Sequence, residues 1–142
     1  MSGKIFAVFA LAVLLVGCTS TPTQAGTEIT VEASDFAYKP ASLTVPAGEL
    51  VTITLNNLGK IEHDFVVEKI SVTNVEASDT GPAAHHQEGH QPDYDLHFFA
   101  RAGDTATLQF TALEPGTYEV FCSIEGHKEA GMIAALVVAA RE

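Results

Sequence analysis

Apolar and polar residues alternate along much of the chain after residue 28. In the segments 29–33, 43–45 and 51–55 every second residue is apolar, and the residues between are Thr or Glu. A period of two is typical of β-strands that bury one face. The runs between these segments are rich in Gly, Pro and Asn, which favour turns. The pattern therefore predicts an all-β domain.

Five more strand-like segments follow, at residues 63–69, 96–100, 105–111, 117–122 and 131–138. Short strands at such regular spacing favour an antiparallel sandwich or barrel. We therefore expect about eight strands in one domain that spans residues 28–142. Several aromatic residues are expected to pack in its core or along its strands: Phe36, Phe65, Phe99, Phe110 and Phe121.

The alternation is lost between Val72 and Asp95. This segment is polar, carries Gly, Pro and several acids, and contains His85, His86 and His90. Loops of this length in compact domains are usually functional or disordered. We interpret the segment as a long loop insertion. Its three histidines form either a second, labile metal site or a solvated polar loop.

The first 17 residues have the order of a secretion signal. Lys4 supplies a positive charge, and the apolar run that follows is shorter than the roughly 20 residues that span a bilayer. The run ends in Leu-Val-Gly-Cys18, which looks like a bacterial lipobox, in which the Cys is acylated. A signal peptide cut elsewhere is the alternative. Residues 18–27 are small and polar, as in a flexible tether. We predict an exported, membrane-anchored lipoprotein, periplasmic or at the cell surface.

Composition and charge narrow the possible partners. The chain has 142 residues, 46% of them apolar, which suits one domain with a real core. Its formal net charge of −11 argues against nucleic acid. The two cysteines are Cys18 and Cys122, so acylation of Cys18 leaves Cys122 as the only thiol of the exported domain. Exported proteins seldom keep a lone thiol without a use.

Cys122 opens a run of metal-binding residue types, CSIEGHKEAGM. A thiol, the imidazole of His127 and the thioether of Met132 follow one another at intervals of five residues. Copper that transfers one electron suits two imidazoles and a thiolate in a plane, with a weak axial thioether. Structural zinc favours more thiolates or imidazoles, and a cysteine nucleophile needs an oxyanion hole that nothing here supplies. Taken alone, Cys122 could be a small buried hydrophobe.

The second imidazole must come from another segment. His63 opens an apolar strand-like segment after a turn, where a strand end can hold it rigidly. His97 lies in another strand-like segment and is the main alternative. The three histidines of the insertion lie in an irregular segment, which is a poor mount for a rigid site. His63 is therefore the favoured fourth ligand.

On these residues the sequence resembles the cupredoxins, the small blue copper proteins that include plastocyanin, azurin and auracyanin. The resemblance covers residues 28–139 and depends on His63 in His-Asp-Phe and on Cys-x4-His-x4-Met. It implies an eight-stranded Greek-key β-sandwich with one type 1 copper ion. The implied ligands are His63, Cys122, His127 and Met132.

The resemblance also implies a supporting contact between Asp64 and Ser123, which follow two of the ligands. Such a hydrogen bond would join the two ligand segments and hold them in place. The alternative is that Asp64 is a solvated acid of a turn.

The resemblance implies a one-electron carrier and not an enzyme. The alternatives are a copper delivery or storage protein and an accessory subunit of an oxidase or reductase. His127 should lie near the surface, within an acidic rim of Glu62, Glu125 and Glu129 that favours a basic redox partner. A c-type cytochrome, or a terminal oxidase or reductase, is such a partner. Glu125 stands where the family often has Pro, and the long insertion is uncommon in it, so both features bear on partner choice.

Overall fold

A computed structural model describes residues 26–78, 80 and 94–141. Within them the chain forms ten β-strands, and none of these residues belongs to a helix long and apolar enough to cross a membrane. The strands are β1 (Thr27–Ser34), β2 (Ala37–Lys39), β3 (Ser42–Pro46), β4 (Leu50–Asn57), β5 (His63–Val67), β6 (Val72–Ser78), β7 (Leu96–Ala100), β8 (Thr105–Ala112), β9 (Gly116–Phe121) and β10 (Ile133–Ala139). The predicted signal segment, Cys18, His85, His86 and His90 lie outside the described residues.

The strands form two five-stranded sheets. One has the order β2-β1-β4-β8-β6 and the other the order β3-β10-β9-β5-β7. Most neighbours are antiparallel, but β1 pairs with β4 in parallel and β3 with β10 likewise. The prediction of an all-β sandwich is confirmed. The described part of the chain has two strands more than the eight expected, namely β2 and β6.

The segment 72–95 was expected to be a loop, yet its first part is a strand. β6 pairs with β8 at the edge of its sheet, with an irregularity between Thr73 and Glu76. Its first residue is partly exposed and the rest are exposed. A strand that buries neither face needs no alternation of apolar residues, so the hydrophobic pattern could not reveal it.

The alternation in β4 shows how the core is built. Val51, Ile53 and Leu55 are fully buried, and the residues between them are partly exposed. Burial of each such side chain contributes about 1.5–3 kcal/mol to folding. Asn57 continues the same inward series and is buried as well, although it is polar. Four of the five expected phenylalanines are buried, whereas Phe36 is 41% exposed in the turn after β1.

One end of the sandwich collects the end of β4 at Asn57, the start of β5 at His63 and the end of β9 before Cys122, and we call it the ligand end. The chain enters at the opposite end, where Thr27 pairs with Val51 at the start of β4. It also leaves there, since the carbonyl of Ala139 accepts a hydrogen bond from the turn before β4. The ligand end is therefore formed by strand ends and loops, away from both points where the chain enters and leaves.

Candidate metal centre

Three of the four predicted ligands lie together at the ligand end. The ligand atoms of His63, Cys122 and His127 are all within 4.8 Å of one another. Sγ of Cys122 is 3.2 Å from Nδ1 of His127, and the two imidazole centroids are 5.1 Å apart. Met132 is fully buried in the same core cluster as Cys122. The fold thus brings His63 to the loop that follows β9.

The loop after β9 is fixed by its own backbone hydrogen bonds. The N–H of Cys122 donates to the carbonyl of Met132 at 3.2 Å, and the N–H of Met132 donates to the carbonyl of His127 at 3.0 Å. Gly126 and Gly131 have φ angles of 82° and 102°, where a side chain would strain the backbone. The three ligand residues of the loop are therefore held in one compact turn.

His63 is suited to bind a metal ion. Its side chain is fully buried, and both ring nitrogens lack a hydrogen-bond partner among the described residues. A buried polar atom without a partner costs about 1–3 kcal/mol, which a bound ion would offset. Burial and the neighbouring His127 lower the pKa of His63, so its ring is neutral and able to ligate. The donor set of one thiol, two imidazoles and a buried thioether fits copper.

The thiol of Cys122 is protonated before a metal binds. Burial raises its pKa to about 12, with a further contribution from the negative charge of Asp64. Because the thiolate is the ligand, metal binding must displace this proton.

Asp64 joins the two ligand segments, as predicted. The backbone N–H of Ser123 donates to Oδ1 of Asp64 at 2.7 Å, and its hydroxyl donates to Oδ2 at 2.5 Å. Asp64 is buried rather than a solvated acid of a turn. The hydroxyl of Tyr38 donates to the backbone carbonyl of Asp64. Asp64, which follows His63, is thus hydrogen-bonded directly to Ser123, which follows Cys122.

Comparison with known proteins identifies the family. Residues 25–139 match the family of copper binding proteins described as the plastocyanin/azurin family. The chain belongs to this family. The expected copper cofactor is thereby confirmed, and the buried His63, Cys122, His127 and Met132 form a plausible type 1 site for it.

Proteins similar to this chain include a copper-resistant cuproprotein and an auracyanin. The copper-resistant cuproprotein CopI of Rubrivivax gelatinosus is 33% identical over 108 residues, which are 76% of this chain and 63% of that protein. Auracyanin-A of Chloroflexus aurantiacus is 29% identical over 108 residues, 70% of this chain and 66% of that protein. The chain thus spans slightly less than two thirds of each of these relatives.

The fold agrees with that of a solved auracyanin structure. The crystal structure of reduced auracyanin from Roseiflexus castenholzii superposes with a TM-score of 0.59 at 23% identity, over 81% of this chain and 98% of that one. This likeness supports the plastocyanin/azurin fold of the chain.

His97 was the alternative to His63 as the fourth ligand. It lies beside the site, and its ring nitrogens are not among the clustered ligand atoms. Its Nε2 is 3.1 Å from Oδ2 of Asp64. Burial alone would raise the pKa of Asp64, but hydrogen bonds from His97 and Ser123 outweigh it and lower that pKa. Since an ionised carboxylate only accepts hydrogen bonds, Nε2 of His97 carries the proton. His97 therefore supports the contact between the ligand segments.

Asn57 is a supporting residue that the sequence reasoning missed. Its Nδ2 donates to the carbonyls of Ile61 at 2.8 Å and Ala100 at 3.0 Å, and its Oδ1 accepts from the N–H of Gly59 at 2.9 Å. These bonds fix the turn that leads into His63. A sequence signal existed, because Asn57 occupies the next inward position of β4 after Leu55.

Phe36 is the second residue that was missed. It was expected in the core or along a strand, but its ring packs edge-on against His127 with the centroids 5.1 Å apart and the planes at 85°. Its backbone φ is 63°, which is uncommon for a residue other than Gly or Asn. A large side chain at such a position typically costs about 1–3 kcal/mol of strain.

The surface around His127 is apolar with mixed charges. His127 itself is 6% exposed, and the exposed side chains of Leu58 and Ile61 lie in the segment between Asn57 and His63. The predicted rim acids Glu62, Glu125 and Glu129 are all exposed. Two basic residues that the rim prediction left out line the same depression as His127 and Glu62: Lys60 and Arg101.

Proposed function

We propose that this family member is a one-electron carrier with a type 1 copper site. The observation that supports it most strongly is the burial of the ligands, because His63, Cys122 and Met132 are fully buried and His127 is 6% exposed. When bound, copper would alternate between Cu(II) and Cu(I) and so accept and give up one electron. The hydrogen bonds of Asp64 and Asn57 hold the ligand segments in place, which limits movement between the two states.

Two further features support a carrier over an enzyme or a delivery protein. Four protein ligands complete a type 1 site and leave no open position for a substrate, whereas catalytic metal sites keep one. A delivery protein must let an acceptor reach its ligands, and three of the four here are fully buried. His127 is the ligand nearest the surface, so a partner that docks there comes closest to the site.

Copper handling, meaning the capture and delivery of ions, is the second candidate function. Relatives named copper-resistant cuproproteins favour it, and His85, His86 and His90 could capture ions in such a role. Acylation at Cys18 suits either function, because it would hold the domain at a membrane outside the cytoplasm.

Spectroscopy and copper exchange separate the two functions. We expect the loaded domain to hold one copper ion with intense visible absorption, the narrow copper hyperfine splitting of a type 1 site in its EPR spectrum, and a reversible one-electron couple. Several weakly coloured ions that pass readily to a Cu(I) chelator would instead establish copper delivery. The variant with His85, His86 and His90 replaced by Ala is the control, and a carrier keeps its spectrum in that background.

We further propose that the redox partner presents a basic face to the acidic rim. The exposed Glu62, Glu125 and Glu129 would attract such a face. The neighbouring Lys60 and Arg101 offset only part of the charge of these acids. The apolar surface at Leu58 and Ile61 permits close contact. Charges at the rim of an interface act mainly on the association rate. A c-type cytochrome with a basic haem edge is a suitable probe.

The rate of electron transfer to that cytochrome should fall as salt is added. We expect a decrease of at least about tenfold from low to physiological ionic strength, because salt screens the steering field. The triple variant E62Q/E125Q/E129Q should be slower at low salt and clearly less sensitive to salt than the unmodified protein. The matched control is E28Q/E49Q/E114Q, which removes the same charge from residues near the opposite end. A rate that is independent of salt in the unmodified protein excludes the acidic rim as a docking determinant.

A further inference from the structure

The turn between β1 and β2 contains an unusual residue. Ser34 pairs with Ala37, so Asp35 and Phe36 form a two-residue hairpin turn. The φ of Phe36 is 63°. A turn with positive φ at its second central residue favours Gly, or Asn, because a bulky side chain strains the backbone there. The sequence therefore breaks a local rule at this position.

Packing of the fold does not account for the choice of Phe. A phenylalanine that stabilised the core would be buried, as Phe65 and Phe110 are, but Phe36 is 41% exposed. Its ring makes an edge-on contact with His127, with the centroids 5.1 Å apart. Because Phe36 is partly exposed and His127 is buried, we infer that Phe36 covers part of the His127 ring.

His127 is buried although the residues next to it in the chain are exposed or partly exposed. Gly126 is exposed and Lys128 partly exposed, while His127 is 6% exposed. One side of its ring faces Cys122 and His63. Phe36 packs on another side of the His127 ring, and the depression that Ile61 lines borders His127 as well. Without Phe36, the ligand nearest the surface would gain a second solvent-facing side.

We propose that Phe36 is a positioning residue for the copper ligand His127, retained at a strained turn position because its ring shields that ligand from solvent. The shield holds the imidazole in its ligating orientation and keeps small external ligands from displacing it. This inference depends on the copper site and not on whether the protein carries electrons or handles copper.

Three substitutions separate the ring from the strain. Phe36→Gly removes both, Phe36→Leu keeps a side chain at positive φ but removes the flat ring, and Phe36→Tyr keeps ring and strain. An edge-on aromatic contact is worth about 0.5–1.5 kcal/mol, which corresponds to roughly a two- to tenfold change in a rate. The measurements are the thermal midpoint of the copper-free protein and the rate at which copper passes to an excess of chelator. The EPR spectrum of the Cu(II) form with added azide reports whether an external anion displaces the His127 imidazole.

For Phe36→Gly we expect an unchanged or higher thermal midpoint without copper, copper loss that is roughly two- to tenfold faster, and an EPR spectrum that azide alters. Phe36→Leu should lose copper faster with no gain in thermal midpoint, and Phe36→Tyr should match the unmodified protein. Asn74 is the matched control, because it also has positive φ (54°) but lies in β6, at the other edge of the sheet from β2. Asn74→Gly should leave copper loss unchanged.

Two results would overturn the inference. A clearly lower thermal midpoint for copper-free Phe36→Gly would show that the ring serves the fold. Copper loss at the unmodified rate would show that the ring does not protect the ligand. Neither result bears on the carrier proposal, which instead fails if the loaded protein has no reversible one-electron couple.

Discussion

Replacing Cys122 by Ser removes the intense visible absorption of the copper-loaded protein. The absorption requires a thiolate bound to copper, and Cys122 supplies the one buried thiol at the site. A serine hydroxyl is a harder and weaker ligand for Cu(I) than a thiolate. We therefore expect copper affinity to fall by more than the roughly 10–100-fold that loss of a supporting contact costs. Absorption, EPR and chelator competition measure both effects.

Two controls make this result specific. His97→Gln keeps a polar side chain next to Asp64, and since His97 is not among the clustered ligand atoms, a type 1 spectrum should persist. Simultaneous replacement of His85, His86 and His90 should also preserve it. An intense band that survives in Cys122→Ser, or that disappears with His97, would refute the assignment of the ligands.

Replacing Asp64 by Ala destabilises the protein by about 1–3 kcal/mol, as expected when buried donors lose their hydrogen-bond acceptor. The change leaves the N–H and hydroxyl of Ser123 and the Nε2 of His97 without their acceptor. Since the carboxylate also joins the segments of His63 and Cys122, copper affinity should fall about 10–100-fold. Chemical denaturation without copper and chelator competition with copper measure the two losses separately.

Two variants define what Asp64 contributes. Asp64→Asn keeps an acceptor for the N–H of Ser123 and should retain most of the stability and the type 1 spectrum. Asp95 provides a matched site, because its carboxylate also accepts a backbone N–H, that of Ile70 at 2.7 Å, at the far end of β7. Asp95→Ala should cost stability without changing the copper spectrum. Equal loss of copper affinity in both Ala variants would mean that Asp64 acts only through general stability.

The sequence predicts those parts of the fold that bury one face. β4 is recognisable because Val51, Ile53 and Leu55 must alternate with solvent-facing residues to pack in the core. β6 is not, because a strand with two exposed faces has no such constraint. The strand β2 is only three residues long, which is too short for a periodic pattern.

The ligands were recognisable by chemical type, whereas their supports depend on register. Asp64 pairs with Phe99 and Val66 with His97, so His97 is the diagonal neighbour of Asp64 across two strands. No pattern within either segment contains that relation, and His97 could therefore be read as a ligand. Asn57 is different, since its inward position follows from the alternation of β4. Phe36 could be assigned to the turn only after the pairing of β1 with β2 was known.

The first and last strands of the domain begin and end, respectively, at the end opposite the ligand end, so the two ends of the domain differ. Thr27 lies at the opposite end of β1 from the ligand end, and the strand of eight residues spans roughly 25 Å. A fusion partner or an electrode linker joined before Thr27 therefore attaches the molecule at the end opposite His127. Attachment at that end leaves the surface around His127 free to meet an electrode or another molecule.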